Sequence, residues 1–192
     1  MDCSKVGELL LKLRKEKNMT QKEIADAMNI SHKTVSKWER GLGCPDVSLL
    51  NELSGILGVN IEKILLGDLD PNEVDGGNME RIKFYACPEC RNVMTGTGNA
   101  EISCCGRKLT ALVPMKESEE HKLIIEEVEN DYYITIPHEM SKNHFIFFIA
   151  YVSNDRVLLI KLYPEQSPEI RFPKMYGGKL YAFCSKHGLW RN

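Results

Sequence analysis

The sequence predicts a multidomain α + β protein with an all-α N-terminal domain, a small four-cysteine metal module and a C-terminal β-sandwich. Apolar residues recur at helical spacing as far as residue 66, two cysteine pairs follow, and short β-rich runs fill the rest of the chain. The stretch "GDLDPNEVDGGN" is rich in Gly, Asp and Asn and lacks periodicity, which is typical of a linker. We therefore expect a helical domain at 1–66, a linker at 67–80, a metal module at 81–116 and a sandwich at 117–192.

Composition excludes several classes of protein. The formal net charge of −2 means that the chain of 192 residues is not basic as a whole. Nucleic-acid binding would therefore require a local basic patch. The longest apolar run, "FIFFIAYV", is far shorter than the roughly 20 residues of a membrane-spanning helix. We expect a cytoplasmic protein without membrane contact. In that reducing compartment, seven cysteines favour metal ligands or thiols over disulfides.

The helical domain contains two helices joined by a tight turn. Thr20 and Glu23 stand in capping-box positions at the start of the first helix, and Ser31 is the predicted N-cap of the second. Val35 and Trp38 are predicted to face the core, together with Ile24 and Ala25 from the first helix. The pattern predicts a helix-turn-helix.

The outward face of the second helix is basic. It carries His32, Lys33, Ser36 and Lys37, side chains that reach hydrogen-bonding groups on base edges. Residues 12–40 contain eight Lys or Arg against four Asp or Glu, a balance that favours phosphate. Binding of double-stranded DNA is the favoured interpretation, and a protein-contact surface is the alternative.

The segments "EIADAMNIS" and "VSKWERG" make this domain resemble the helix-turn-helix of the phage-repressor family. The resemblance implies phosphate contacts from Gln21 and Arg40, and base contacts from His32, Lys33 and Lys37. It also implies a homodimer, because this family reads paired half-sites.

The metal module contains two cysteine pairs, Cys87 with Cys90 and Cys104 with Cys105. The two cysteines of a C-x-x-C can bind one metal ion from a tight turn, and a second cysteine pair completes a tetrahedral site. Tetrahedral thiolate coordination suits zinc and iron alike. The pattern resembles desulforedoxin, which implies a single rubredoxin-type iron. A zinc ribbon that stabilises the fold is the alternative.

The C-terminal region contains histidines at 121, 138, 144 and 187, and a cysteine at 184. Imidazoles suit several metals, whereas a thiolate favours a redox ion. The motifs "EEH", "HEMSKNH" and "CSKHG" resemble those of the superoxide reductase domain, and the region from about residue 81 onwards resembles desulfoferrodoxin, the two-iron form. The resemblance implies an immunoglobulin-like β-sandwich. It also implies an iron held by four equatorial histidines (His121, His138, His144 and His187) and axial Cys184, with one position open to superoxide.

The sequence departs from that family immediately before the first histidine. The family has a lysine there that attracts superoxide, and this chain has Glu120. Lys122 follows, but in the strand that we predict from His121 onwards it lies on the same face as Glu120. Glu119 matches a family glutamate, and Glu119 and Glu120 are the candidate catalytic residues. Cys3 and Cys44 match neither site, and we expect them to be thiols.

The favoured function is a redox-responsive DNA-binding transcriptional regulator that also reduces superoxide to hydrogen peroxide. The four-cysteine iron would take part in electron transport, and a rubredoxin-like protein would be the electron donor. Two alternatives are a superoxide reductase with an accessory DNA-binding domain and a regulator whose two sites hold structural zinc.

Replacing Glu120 with lysine is expected to raise the second-order rate of reaction with superoxide, because a cation attracts the anionic substrate. The gain should shrink as salt screens the added charge. Decay of pulse-generated superoxide at low and high ionic strength measures both effects. Equal rates for the two proteins at low salt would mean that another cation already serves the site.

Overall fold

The structure, a computed structural model, describes residues 1–74, 76–116, 118–175 and 177–192, and the side chain of Glu120 also lies outside the described part. The chain divides into two compact units, Met1–Pro71 and Asn72–Asn192. Among the described residues, no helix combines the length and apolar character needed to span a membrane. The predicted multidomain α + β fold class is confirmed.

The first unit, described throughout, is helical. Its helices are α1 (Cys3–Glu16), α2 (Gln21–Ala27), α3 (His32–Glu39), α4 (Leu50–Leu57) and α5 (Ile61–Leu66). The predicted capping box is confirmed, since the Thr20 side chain accepts from the Glu23 N–H while the Glu23 carboxylate accepts from the Thr20 N–H. Ser31 caps α3 as predicted. The first cap sets the start of α2, and the second ends the turn between α2 and α3 and sets the start of α3.

A buried ion pair links the helices of this unit. The guanidinium of Arg14 donates from Nε to Glu39 Oε1 at 2.5 Å and from a terminal nitrogen to Oε2 at 3.0 Å. The Gln21 amide nitrogen donates to the same carboxylate at 2.7 Å. Glu39 thereby joins α1, α2 and α3 beside an apolar core that includes Val35, Trp38, Ile24 and Ala25, all buried as predicted.

The prediction that Cys3 and Cys44 are thiols is wrong, because a disulfide joins them. Their Cα atoms lie 5.0 Å apart although 41 positions separate them in the sequence. Helix packing brings the start of α1 beside the turn that follows α3, where Gly7 and Gly41 permit close backbone approach. Sequence spacing alone cannot reveal that proximity.

The second unit begins with two hairpins that carry the cysteine pairs. Strand β1 (Lys83–Ala86) pairs with β2 (Val93–Gly96), and β3 (Ile102–Cys104) pairs with β4 (Arg107–Leu109). Between Leu66 and Met79 the described residues form neither helix nor strand.

Two sheets follow and pack face to face. Among the described residues, the larger sheet has the order β5 (Met115–Lys116), β12 (Gly188–Arg191), β11 (Lys179–Cys184), β8 (Ile146–Val152) and β9 (Val157–Lys161). The smaller sheet has the order β10 (Glu169–Pro173), β7 (Asp131–Thr135) and β6 (Ile124–Val128). Ile134 and Phe172 of the smaller sheet share one core with Ile149 and Leu180 of the larger sheet. This arrangement is the predicted sandwich.

Strand β8 is buried along its whole length. One of its faces contributes Ile146 and Ile149 to the core between the sheets, and the other contributes Phe148 to a second cluster that contains Phe84 of β1. The rings of Phe84 and Phe148 lie 5.3 Å apart. Burial on both faces explains why this strand reads as a continuous apolar run rather than an alternating one.

The strand predicted from His121 onwards begins later than expected. Glu119–His121 forms a short 3-10 turn, and β6 starts at Ile124. Glu120 and Lys122 therefore do not lie in one strand, and the strand alternation on which that prediction rested does not apply to them.

Replacing Glu39 with glutamine is expected to destabilise the helical unit by about 2–4 kcal/mol, because Arg14 loses its buried partner. Burial raises the pKa of Glu39, but hydrogen bonds from Arg14 and Gln21 and the nearby positive charges outweigh it and lower the pKa overall. Stabilisation by Glu39 is therefore complete above its unfolded pKa and is lost as pH falls through the lower folded value. Urea unfolding followed by helical circular dichroism should show a wild-type advantage that is constant near neutral pH and shrinks below about pH 4. The exposed Glu8→Gln change is the control, and equal stability of Glu39→Gln and wild type at pH 7 would contradict this assignment.

Candidate metal centres and nucleic-acid interface

The four cysteines of the metal module converge from two tight turns. Cys87 follows β1 and Cys90 lies in the next turn, while Cys104 ends β3 and Cys105 starts the turn into β4. The four sulfur atoms all lie within 4.8 Å of one another. An exposed salt bridge of 2.8 Å joins Glu89, in the turn after β1, to Arg107 at the start of β4. We call these four residues the sulfur cluster.

The pKa values of the thiols in the sulfur cluster indicate how a bound cation would affect their protonation. The backbone N–H of Cys90, followed by that of Glu89, lowers the pKa of Cys87 to about 7 despite burial. Contact with the Cys90 and Cys87 thiols, together with burial, raises the pKa of Cys105 to about 12, and the pKa of Cys104 is raised as well. Four thiolates are therefore not compatible with one another near neutral pH unless a cation offsets their charge. The cluster fits a metal ion.

The second cluster forms at one end of the sandwich. Cys184 ends β11, His187 lies in the turn to β12, His138 follows β7, and His121 ends the 3-10 turn before β6. One potential ligand atom from each of these residues lies within 4.8 Å of all the others. Cys184 is fully buried, and its sulfur accepts N–H groups from Lys186 and His187, each at 3.4 Å.

His144 lies beside these four residues. Its ring centre is 4.5 Å from that of His138 and 4.7 Å from that of His187. The structure therefore places all five predicted ligands of the C-terminal site together, although His144 is outside the tightest group of four. We call the five residues the histidine–cysteine cluster.

Neighbouring groups orient three of the histidines through Nδ1. His121 Nδ1 lies 3.1 Å from Ser118 Oγ, His138 Nδ1 contacts the carbonyl of Glu139, and His144 Nδ1 lies 2.7 Å from Glu139 Oε2. Trp190 stacks on His121 with ring centres 4.3 Å apart. A partner on Nδ1 fixes the ring and leaves Nε2 for the centre of the cluster.

The inward-facing nitrogens indicate that this cluster also fits a metal ion. Nε2 of His138 and Nε2 of His144 are both buried without a hydrogen-bond partner. Burial, followed by the charges of His144 and His187, lowers the pKa of His138 and favours the neutral imidazole that binds metals. Buried polar atoms without partners are costly, and a cation held by the two nitrogens and the thiolate would remove that cost.

The candidate catalytic residues precede His121 in the sequence. Glu119 is exposed at the start of the 3-10 turn that ends at His121, and Lys122 is exposed directly after that turn. Glu120 belongs to the same turn, but its side chain lies outside the described part of the structure. Their catalytic roles stay predictions.

The sequence did not single out Glu139, which orients His144. The available signal was its position beside His138, since a carboxylate next to a metal-binding histidine is a common orienting partner. Its pKa is lowered by hydrogen bonds from Ser141 and His144, which favours the carboxylate form.

The predicted DNA-contacting side chains lie mostly on the surface of the helical unit. His32, Lys33, Lys37 and Arg40 are exposed, while Val35 and Trp38 on the opposite side of α3 are buried. Gln21 is half-buried and donates to Glu39, so its predicted phosphate contact stays a prediction. Arg40 hydrogen bonds to the Ser36 carbonyl at 3.2 Å. The outward surface of α3 is therefore basic and accessible.

Comparison with known proteins separates the same two parts. Residues 10–64 match the helix-turn-helix family model. A desulfoferrodoxin of Clostridium acetobutylicum is 39% identical over 57 residues, which cover 30% of this chain and 46% of that protein. A desulfoferrodoxin of Desulfarculus baarsii is 27% identical over 122 residues, which cover 58% of this chain and 96% of that protein. The chain thus spans less than half the length of the first relative and nearly all of the second.

The crystal structure of the superoxide reductase from Treponema pallidum has a similar fold, with a TM-score of 0.51 at 20% identity over 58% of this chain and 97% of that one. This chain joins a helix-turn-helix domain to a desulfoferrodoxin-like domain. Both clusters belong to the desulfoferrodoxin-like domain, and each is built from its own segments.

Replacing Cys87 with serine is expected to empty the sulfur cluster and spare the histidine–cysteine cluster, because the two share no residue. Metal-free protein reconstituted with Co(II) should bind two ions per chain in the wild type and one in Cys87→Ser, as measured by metal analysis and the absorption of thiolate-bound cobalt. Cys184→Ser should impair the other site. Cys3→Ser is the matched control and should retain both ions, whereas loss of both ions from Cys87→Ser would contradict two independent sites.

Proposed function

We propose that this protein is a redox-responsive DNA-binding regulator whose desulfoferrodoxin-like domain holds two irons and reduces superoxide to hydrogen peroxide. One observation carries the proposal: the buried sulfur of Cys184 lies in one cluster with the unpartnered Nε2 atoms of His138 and His144, and the same chain contains an exposed basic helix. The similarity to desulfoferrodoxins supports iron over zinc at both clusters.

The ligand chemistry of the histidine–cysteine cluster supports a redox ion. Four imidazoles suit several metals, but a thiolate adds electron density that favours redox chemistry. The N–H groups of Lys186 and His187 hydrogen bond to the sulfur of Cys184 and orient it as a candidate ligand. The sulfur cluster is a candidate electron-transfer site, with a rubredoxin-like protein as the proposed donor.

The proposed reaction adds one electron and two protons to superoxide, and one hydrogen peroxide leaves. Ferrous iron would supply the electron. The chain's own residues hold the ligands in place, with Glu139 fixing His144, and Ser118 and Trp190 fixing His121. Glu119 and Lys122 are exposed and lie on either side of His121 in the sequence; in the proposed reaction Glu119 takes part in proton transfer and Lys122 attracts the anion.

The helix-turn-helix domain supplies the DNA-binding part of the proposal. Ser31 and the Arg14–Glu39 pair fix the two ends of α3, and the helix presents Lys33 and Lys37 to solvent. One such helix covers few base pairs, so we propose a homodimer that reads two half-sites about one helical turn apart.

Lys33→Ala and Lys37→Ala are expected to lower sequence preference, costing about 1–3 kcal/mol at the base pairs concerned, whereas Arg40→Ala should weaken all sequences more evenly. Fluorescence anisotropy with a duplex selected from a random library by the full chain, and with a scrambled duplex, separates these effects. Lys63→Ala is the control, because that ammonium already pairs with Asp70. Unchanged affinity in all three test variants would show that α3 serves another purpose.

Metal content tests the redox part independently. Anaerobically purified protein should contain two irons per chain and show two separable visible absorptions on oxidation. Protein that contains only zinc would refute the redox function and leave DNA binding to be judged by its own experiment.

A further inference from the structure

The disulfide of the helix-turn-helix domain joins two cysteines that belong to neither metal cluster. Cys3 is the first residue of α1, and Cys44 lies between α3 and the 3-10 turn Val47–Leu49. Both residues are partly accessible to solvent. A small oxidant or a reductant therefore has access to the pair.

The disulfide lies beside the end of the proposed DNA-reading helix. The N–H groups of Gly41 and Leu42 donate to the Trp38 and Lys37 carbonyls at 2.8 and 3.0 Å and close the end of α3. The stem of Lys37 packs over Gly43, the immediate neighbour of Cys44. Arg40 is the C-cap residue of α3 and the first residue of the segment 40–44. Residues 40–44 thus connect the disulfide with two candidate DNA contacts.

The start of α1 forms the other side of this connection. Gly41 has a φ of 70° and lies against the backbone of Ser4, where an added Cβ would be 3.0 Å from the Ser4 Cα. Gly7 lies so close to the Trp38 carbonyl that an added Cβ would be 2.2 Å from its oxygen. The bond from Cys3 to Cys44 therefore joins two segments, the start of α1 and the residues after α3, whose backbones already lie close together.

We propose that Cys3 and Cys44 form a reversible redox site, in which a peroxide converts the two thiols to the disulfide and the disulfide strengthens DNA binding. The bond fixes residues 40–44 before DNA arrives, which lowers the ordering cost of binding. The proposal rests on the DNA-binding function above, and the hydrogen peroxide released by the proposed superoxide reaction is one source of oxidant.

Hydrogen peroxide is the only oxidant that formation of this disulfide requires. One thiolate attacks a peroxide oxygen, the O–O bond breaks, and a sulfenic acid forms while the other oxygen leaves as water after taking up a proton. The second thiol then attacks the sulfenic sulfur, the S–S bond forms, and a second water leaves. The two sulfurs lose two electrons in total and the peroxide gains them. A dithiol reductant reverses the change by thiol–disulfide exchange.

Peptide mapping tests the chemistry on the metal-loaded full chain. The reduced protein is treated with one equivalent of hydrogen peroxide, alkylated and digested with trypsin. Peptide 1–5 should appear linked to peptide 41–63, and amide hydrogen exchange in residues 41–46 should become slower. Oxidation of the two cysteines separately, or their linkage to other cysteines, would overturn the proposal.

DNA affinity tests the consequence, with the library-selected duplex as the probe. The reduced wild type should bind roughly 3- to 10-fold more weakly than the oxidised wild type. The Cys3→Ser/Cys44→Ser double variant should bind like the reduced form with or without peroxide. Equal affinity of the two wild-type forms, or an equal response of the double variant, would refute the regulatory role.

A third comparison separates this proposal from the proposed function. In Cys184→Ser the superoxide reaction should be lost, while added peroxide should still link Cys3 to Cys44. Absence of DNA binding in both redox forms would refute the DNA-binding function and the regulatory role, whereas peptide linkage and hydrogen exchange would still decide the redox chemistry of the pair.

Discussion

Burial of β8 on both faces is the constraint on which both candidate metal centres depend. One face packs into the core between the two sheets, and the other packs against Phe84 of β1, three positions before Cys87. Strand β11 pairs with β8 and ends at Cys184 opposite Ile146, so β8 also fixes the cysteine of the histidine–cysteine cluster. Loss of packing on β8 would therefore displace the sulfur cluster on one side and the histidine–cysteine cluster on the other.

In the helical unit, a buried ion pair holds the elements in place. Glu39 is almost completely buried, and Arg14 and Gln21 supply the hydrogen bonds that make its burial tolerable. The same carboxylate ends α3, so the interaction that holds three helices together also sets the position of the basic surface. The disulfide between Cys3 and Cys44 acts on that end of α3 by a covalent route, which makes it a suitable place for redox control of DNA binding.

Much of this organisation can be predicted from the sequence because it depends on local patterns. Capping residues such as Thr20 and Ser31, helical spacing of apolar residues and the cysteine pairs all act over a few positions. Features that depend on distant contacts were missed or wrongly predicted. The disulfide joins residues 41 positions apart, the role of Glu39 requires three helices to pack, and the turn at Glu119–His121 interrupts a stretch whose composition favours a strand. The orienting role of Glu139 similarly appears only when His144 is folded back towards it.

The proposed function depends on a redox iron held by His121, His138, His144, Cys184 and His187, and reaction stoichiometry tests that claim most directly. The ferrous full chain, with the Cys3–Cys44 disulfide intact so that these thiols consume no peroxide, is mixed anaerobically with less than one equivalent of superoxide, and the peroxide formed is counted, with Cys184→Ser as the control. A reductase yields one peroxide for each superoxide consumed, and we expect this result for the wild type. Uncatalysed dismutation yields one peroxide for every two superoxides, and that ratio in the wild type would contradict the account.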